Sequence, residues 1–171
     1  MLSIEFSADA EKVLAATDDG TAKIWCVETT QVLVTLSAHK VVSCGFDPTS
    51  QRVVTAGDKT ARIWLTNSGS VHNVLSGHKD NVLTARFSPD GLRVVTASKD
   101  KTAIVWNVLT GASERTLSGH DKWVLFADFS PDGKHIATGS PDETVKVWET
   151  KTGKTVKSWQ QKRCVDFVRF S

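Results

Sequence analysis

Residues 77–111 read GHKDNVLTARFSPDGLRVVTASKDKTAIVWNVLTG. An apolar and β-branched run, Asn81 to Phe87, ends at Ser88-Pro-Asp-Gly91, where proline pre-sets the second position of a tight turn. A second run, Arg93 to Ala97, stops at the polar turn Lys99-Asp-Lys-Thr102. A third, Ala103 to Trp106, leads to a Thr110-Gly111 turn, and a fourth runs through Arg115 to Leu117. No window carries a sustained helical period, so the stretch predicts four short antiparallel strands.

The same pattern recurs on either side. Trp25, Trp64, Trp106 and Trp148 lie 39, 42 and 42 residues apart, and each has an aspartate six residues before it: Asp19, Asp58, Asp100 and Asp142. Phe6, Phe46, Phe87, Phe129 and Phe170 keep intervals of 40, 41, 42 and 41, and His39, His78 and His120 keep 39 and 42. A period of about 40 residues held by several residue types marks a repeat protein. Four strands per repeat is the spacing of propeller blades, which stack radially so that each sheet is covered by its neighbours.

The motifs Gly77-His78 and Gly119-His120, the Asp-x-Thr turns, and the Val/Ile-Trp pair ending the third strand resemble the WD-repeat family over essentially all 171 residues. The resemblance implies an all-β chain, a β-propeller built of four-stranded antiparallel blades, incomplete as a ring. The expected blades are 1–37, 38–76, 77–118 and 119–160, with the inner strand of a fifth at 163–171. The departures are local. No periodic tryptophan is followed by aspartate: the next residues are Cys26, Leu65, Asn107 and Glu149. The second repeat is short, with seven residues from His39 to Phe46 against nine in the next two. Ala15 stands where later repeats have Thr96 and Thr138, and Gln161 where a fifth repeat would place histidine.

Composition excludes several classes. Lys plus Arg is 21 and Asp plus Glu 19, a formal net charge of +2, which speaks against a nucleic-acid or membrane surface. Met1 to Lys12 lacks a basic stretch followed by an apolar one, so no signal peptide is read there, and no apolar run approaches membrane-spanning length. Cys26, Cys44 and Cys164 are scattered without metal-ligand spacing. They read as small buried hydrophobes in a reducing compartment, and the protein as intracellular and cytoplasmic, with neither metal nor cofactor.

The recurring polar residues invite two readings. By resemblance, each blade holds a hydrogen-bonded set: His78, Thr96, Asp100 and Trp106; His120, Thr138, Asp142 and Trp148; and a weaker one, His39, Thr55, Asp58 and Trp64, with one residue missing between Thr55 and Asp58. A carboxylate near a blade core needs donors, and an imidazole N–H supplies one. The other reading is a catalytic triad, but an enzyme needs one such constellation and these recur once per repeat. A propeller enzyme would also require a non-repeating polar cluster at the channel mouth, and none is read in the sequence.

Function is then expected in what varies between repeats. Loops joining one blade's fourth strand to the next blade's first emerge on the same face as the second-to-third-strand loops, and in WD-repeat propellers that face commonly receives peptides or proteins. By position it holds Lys40, Lys79, Asp80, Asn81, Asp121, Lys122 and Trp123, with Lys99 and Asp18. Trp123, additional to the periodic tryptophans, reads either as a binding hot spot or as inter-blade packing; Trp159 reads as filling the slot held by Leu75 and Leu117. The expectation is a non-enzymatic scaffold for a protein or peptide partner. Four blades and a strand do not close a ring of seven or eight, so closure calls for a longer chain, a homodimer forming eight blades, or a different partner.

Overall fold

The computed structural model describes residues 3–37 and 40–161. His39 and the segment 163–171, with Cys164 and Phe170, lie outside the described residues, so the expected fifth inner strand does too. Among the described residues all sixteen elements are strands, and they form four four-stranded sheets, each an antiparallel meander in chain order. Blade one is β1 (Ile4–Phe6), β2 (Lys12–Ala16), β3 (Ala22–Cys26) and β4 (Val32–Leu36). Blade two is β5 (Val41–Phe46), β6 (Arg52–Gly57), β7 (Thr60–Leu65) and β8 (Val71–Ser76). Blade three is β9 (Val82–Phe87), β10 (Arg93–Ser98), β11 (Thr102–Asn107) and β12 (Ser113–Ser118). Blade four is β13 (Phe126–Phe129), β14 (His135–Gly139), β15 (Thr144–Glu149) and β16 (Thr155–Gln160). The first strands of neighbouring blades pack on one another and form the inner wall, while the fourth strands lie outermost. The chain is an all-β, propeller-type stack whose ring is not closed.

Strand alternation explains the packing. In blade one Leu14, Ala16, Ile24 and Leu36 turn one way, and they meet Cys44, Phe46, Val53 and Trp64 of blade two in one buried cluster. The opposite side of blade two offers Val54, Ala56, Ala61, Ile63 and Leu75 to Val82, Ala85, Val94 and Trp106 of blade three. Val95, Ala97, Val105 and Leu117 then receive Val124, Phe129, Ile136 and Trp148 of blade four. Each interface therefore pairs a small aliphatic face with a Phe-Val/Ile-Trp face, and each large buried side chain contributes about 1.5–3 kcal/mol.

Backbone bonds stitch the same junctions. The N–H groups of Val41, Val82 and Val124 donate to the carbonyls of Gly20, Asp58 and Ser98 in the preceding blade. On the outer side the Asn73 amide donates to the Val108 carbonyl at 2.8 Å, and Arg115 Nε to the Lys151 carbonyl at 3.1 Å.

The two ends of the stack are the two halves of this interface. Blade one leaves Ile4 72% and Phe6 61% exposed on the side that other blades bury. At the other end Trp159 pairs with Val145 as Leu117 does with Ala103. It occupies the expected slot, yet it is 45% exposed where Leu117 is 1%, because no described residue covers it. Among the described residues no helix is long and apolar enough to cross a membrane.

Candidate functional site

The polar sets of blades three and four are built alike. His78 sits in the loop entering β9, Thr96 in β10, Asp100 in the following loop and Trp106 in β11. His78 Nδ1 lies 2.8 Å from Asp100 Oδ2, and Nε2 lies 2.7 Å from Thr96 Oγ1. Trp106 Nε1 donates to Thr96 Oγ1 at 2.8 Å. A carboxylate only accepts and an indole N–H only donates. The imidazole therefore donates from Nδ1 and accepts the threonine hydroxyl at Nε2, which uses every member of the set once. In blade four the bonds from His120 to Asp142 and Thr138 are 2.9 and 2.7 Å, and Trp148 donates to Thr138 at 2.8 Å.

Burial lowers the affinity of His78 and His120 for a proton, against the opposing pull of Asp100 and Asp142, so both rings stay neutral. Burial alone would raise the Asp100 carboxyl. The bonds from Thr102, from the Lys79 N–H and from His78 outweigh it and hold Asp100 below the ordinary carboxylate range; Asp142 is lowered in the same way by Thr144, the Asp121 N–H and His120. No nucleophile is generated by this arrangement. The threonine hydroxyl is buried and already holds both the imidazole and the indole. Among the described residues no group of three or more His, Cys, Asp or Glu is placed to hold a metal ion.

Blade two differs where its sequence is short. Trp64 Nε1 still donates to Thr55 Oγ1, at 2.9 Å. With one residue fewer, β6 and β7 are joined by the two-residue turn Asp58-Lys59, and Asp58 takes a positive φ of 41°. There its carbonyl accepts the Val82 N–H at 2.6 Å. Its histidine, His39, is outside the described residues.

These sets fix the loops that carry the variable residues. The N–H groups of Lys79 and Asp121 donate to Asp100 and Asp142, each at 2.9 Å, so the loops entering blades three and four are pinned from below. Lys79, Asp80, Asn81, Asp121, Lys122 and Trp123 are all exposed. The Asn81 carbonyl accepts the Lys99 N–H at 3.0 Å, and Lys122 Nζ donates to the Pro141 carbonyl at 3.3 Å. Trp123 is 47% exposed, and Lys99 of the preceding blade stacks its ammonium 4.5 Å from the ring centroid. The structure thus brings Trp123 and Lys99 together across the blade three–four junction. Lys40 is elsewhere: with Asp18, Asp19 and Ser37 it lines a cavity of about 500 Å³ beside blade one.

Two features escaped the sequence reading. The first is the Lys99–Trp123 contact, which joins residues 24 positions apart. The second is a set of non-repeating charges on the inner wall. The residue before each periodic phenylalanine is Glu5, Gly45, Arg86, Asp128 and Arg169 in turn, and Arg86 Nη1 donates to the Cys44 carbonyl of the preceding blade at 3.0 Å. Variation at one fixed register, beside an unvarying phenylalanine, was the available signal.

Comparison with known proteins places this architecture. The WD domain, G-beta repeat, matches residues 1–26, 30–64, 69–107 and 111–149. WD repeat-containing protein 37 of Mus musculus is 34% identical over 103 residues, 57% of this chain and 21% of the relative. Coronin-7 of Homo sapiens is 31% identical over 102 residues, 53% of this chain and 11% of the relative. Ribosome assembly protein 4 of Chaetomium thermophilum is 49% identical over 53 residues, 30% of this chain and 10% of the relative. The matched stretches thus span about a fifth or less of these relatives. Four successive matches over four described sheets establish that the chain belongs to the WD-repeat family.

Proposed function

We propose that the chain is a non-enzymatic scaffold that binds a protein or peptide partner through its loop face, with Trp123 and Lys99 at the centre of the contact. The supporting observation is the half-exposed tryptophan stacked with a lysine of the neighbouring blade. An exposed cation–π contact contributes about 0.5–1 kcal/mol, too little to account for leaving so much aromatic surface in water, whereas tryptophans in such settings dominate protein interfaces. Lys79, Asp80, Asn81, Asp121 and Lys122 form the polar rim, and Lys40 with Asp18 an outlying one. WD-repeat proteins generally mediate protein interactions, and this chain requires no cofactor to do so. A cytoplasmic setting accords with the buried free thiol of Cys44, pushed up to about 12 by burial. Peptides selected from a displayed random library on the intact chain test the reading. They should bind Trp123→Ala at least about tenfold more weakly and bind Trp159→Ala normally. Selected peptides that bind Trp123→Ala undiminished would overturn it.

A second reading rests on the open ends. Blade one presents a Phe-Val-Trp face and blade four a small aliphatic one, so further blades fit both, whether from a longer polypeptide or from a second copy forming an eight-bladed ring. Such a junction would not copy the internal ones. At two internal junctions the leucine of one blade lies against a turn glycine of the next, Leu36 against Gly69 and Leu117 against Gly153; the ends offer Trp159 and Thr30 instead. Light scattering decides between the sources: a species of twice the 18.6 kDa chain supports the second copy, and a stable single-chain species excludes it.

A further inference from the structure

In every blade one backbone bond joins the turn after the first strand to the turn after the third, on the face opposite the loops. The N–H groups of Val27, Thr66, Val108 and Thr150 donate to the carbonyls of Glu11, Gln51, Leu92 and Lys134, at 2.8 to 3.0 Å. The residue after each donor is Glu28, Asn67, Leu109 and Lys151 in turn. The bond therefore sets two exposed residues on joined turns at one place in each blade: Glu11 with Glu28, Gln51 with Asn67, Leu92 with Leu109, and Lys134 with Lys151. An acidic, a neutral, an apolar and a basic pair follow one another in blade order. Leu92 is 63% and Leu109 79% exposed. The other three blades fill both places with polar residues, so the fold does not call for leucine at either. Single exposed leucines are ordinary, but two on joined turns form a patch. The patch is held in place: Asn107 Oδ1 accepts the Leu109 N–H at 3.0 Å, and the Asn73 amide of blade two donates to the Leu109 carbonyl at 3.2 Å. The charges beside it are already matched, with Arg93 Nε 2.8 Å from Glu114 and Arg93 Nη1 3.9 Å from Asp90.

We infer that the Leu92–Leu109 patch is a second docking site, separate from the loop face, for a segment of a partner protein that combines apolar and acidic side chains. The apolar part covers the leucines and the acidic part reaches Lys134 and Lys151. Charge complementarity commits the occupant. On one side of the leucines, in blade two, the matching pair is neutral; on the other, in blade four, it is basic, with Lys154 exposed in the same turn as Lys151. Lys151 holds no carboxylate among the described residues. Lys134 lies 3.7 Å from Asp132, but its side chain is 76% exposed, and such a pair holds its lysine weakly. A basic segment is repelled there, and the pair that would attract one, Glu11 with Glu28, stands two blades from the leucines. Spacing narrows the occupant further. Neighbouring sheets pack about 10 Å apart and an extended chain advances about 3.3 Å per residue, so the acidic residues belong about three positions from the apolar ones.

The probe is the blocked peptide acetyl-Leu-Leu-Ser-Ser-Glu-Glu-amide, titrated into the intact chain with labelled leucine methyls and backbone amides. Its counterpart carries Lys-Lys in place of Glu-Glu. Saturable shifts are expected at Leu92, Leu109 and Lys151, and the acidic peptide should bind at least about tenfold more tightly than the basic one. Leu92→Gln/Leu109→Asn places there the residues that blade two holds at the same positions, and it should abolish the saturable shifts. Lys134→Gln/Lys151→Asn, on the same pattern, should bring the two affinities together, while Trp123→Ala should change neither. Equal affinity of the two peptides on the unaltered chain, shifts confined to other sites, or no saturable shift would overturn the proposal. Methyl shifts at Leu92 and Leu109 that grow with protein concentration alone would give the patch to a second copy. Co-sedimentation with phosphatidylserine vesicles, lost in Leu92→Gln/Leu109→Asn, would give it to a membrane; either result overturns the proposal too. If a variant fails to fold, the ratio of the two peptides on the unaltered chain still decides.

Discussion

Thr96 has one hydrogen to give and two lone pairs, and it uses them on His78 and Trp106 at 2.7 and 2.8 Å in fully buried surroundings. Removing its hydroxyl strands two polar groups at once, and each buried unsatisfied group costs about 1–3 kcal/mol. Thr96→Val should therefore lower unfolding stability by at least the lower end of that range, with Thr96→Ser near the starting value. A denaturant melt in which valine costs nothing would show the set to be idle. Ala15, at the matching place in blade one, shows the sequence doing without the hydroxyl where Trp25 is only half-buried. Backbone strain gives a residue-scale prediction of the opposite sign. Thr30 takes a φ of 57° where blades two, three and four have Gly69, Gly111 and Gly153. A left-handed conformation costs a β-branched residue about 1–2 kcal/mol, so Thr30→Gly should raise the melting temperature. Gly57→Ala should lower it, because a Cβ there would stand 1.9 Å from the Lys40 carbonyl oxygen.

The blade is the scale at which pH acts. His78 and His120 are kept neutral in the fold, chiefly by burial. In the unfolded chain histidine takes up a proton below about pH 6.5. From that pH downward the unfolded state binds more protons, so stability falls as pH falls. Asp100 and Asp142 act lower down: their folded acidity is strengthened, so their contribution is complete above the ordinary aspartate range near pH 4 and is lost as pH drops through the folded values. Melting temperatures measured from pH 7 to 5 should decline, and the decline should flatten in His78→Gln/His120→Gln; an unchanged slope in that variant would assign the effect to other groups. Strands and turns were legible because strand periodicity and turn chemistry agree in every repeat, as Ser88-Pro-Asp-Gly91 and the β9–β10 pairing illustrate. The shortened second repeat was legible as a missing residue, but not as the two-residue turn that turns the Asp58 carbonyl to Val82. That outcome depends on the neighbouring blade.

Across the whole molecule, sequence reading reached the stacking order and which loops share a face, because both follow from a meander repeated four times. It did not reach contacts between blades. Trp123 could be listed beside Lys99, but only the packed junction puts the ammonium 4.5 Å above the ring. Phe6, Phe46, Phe87 and Phe129 likewise line one cavity only once four inner strands stand side by side. We propose that a partner binds the variable loop face, which the buried polar sets of blades three and four hold in place. Hydrogen exchange read by mass spectrometry, on the chain with and without a peptide selected on it, tests this most directly. Exchange should slow in residues 79–82, 99–102 and 121–125 and stay unchanged in the turns at 88–92 and 130–134. Protection centred on those turns, with the three loop segments exchanging as in the free chain, would contradict it.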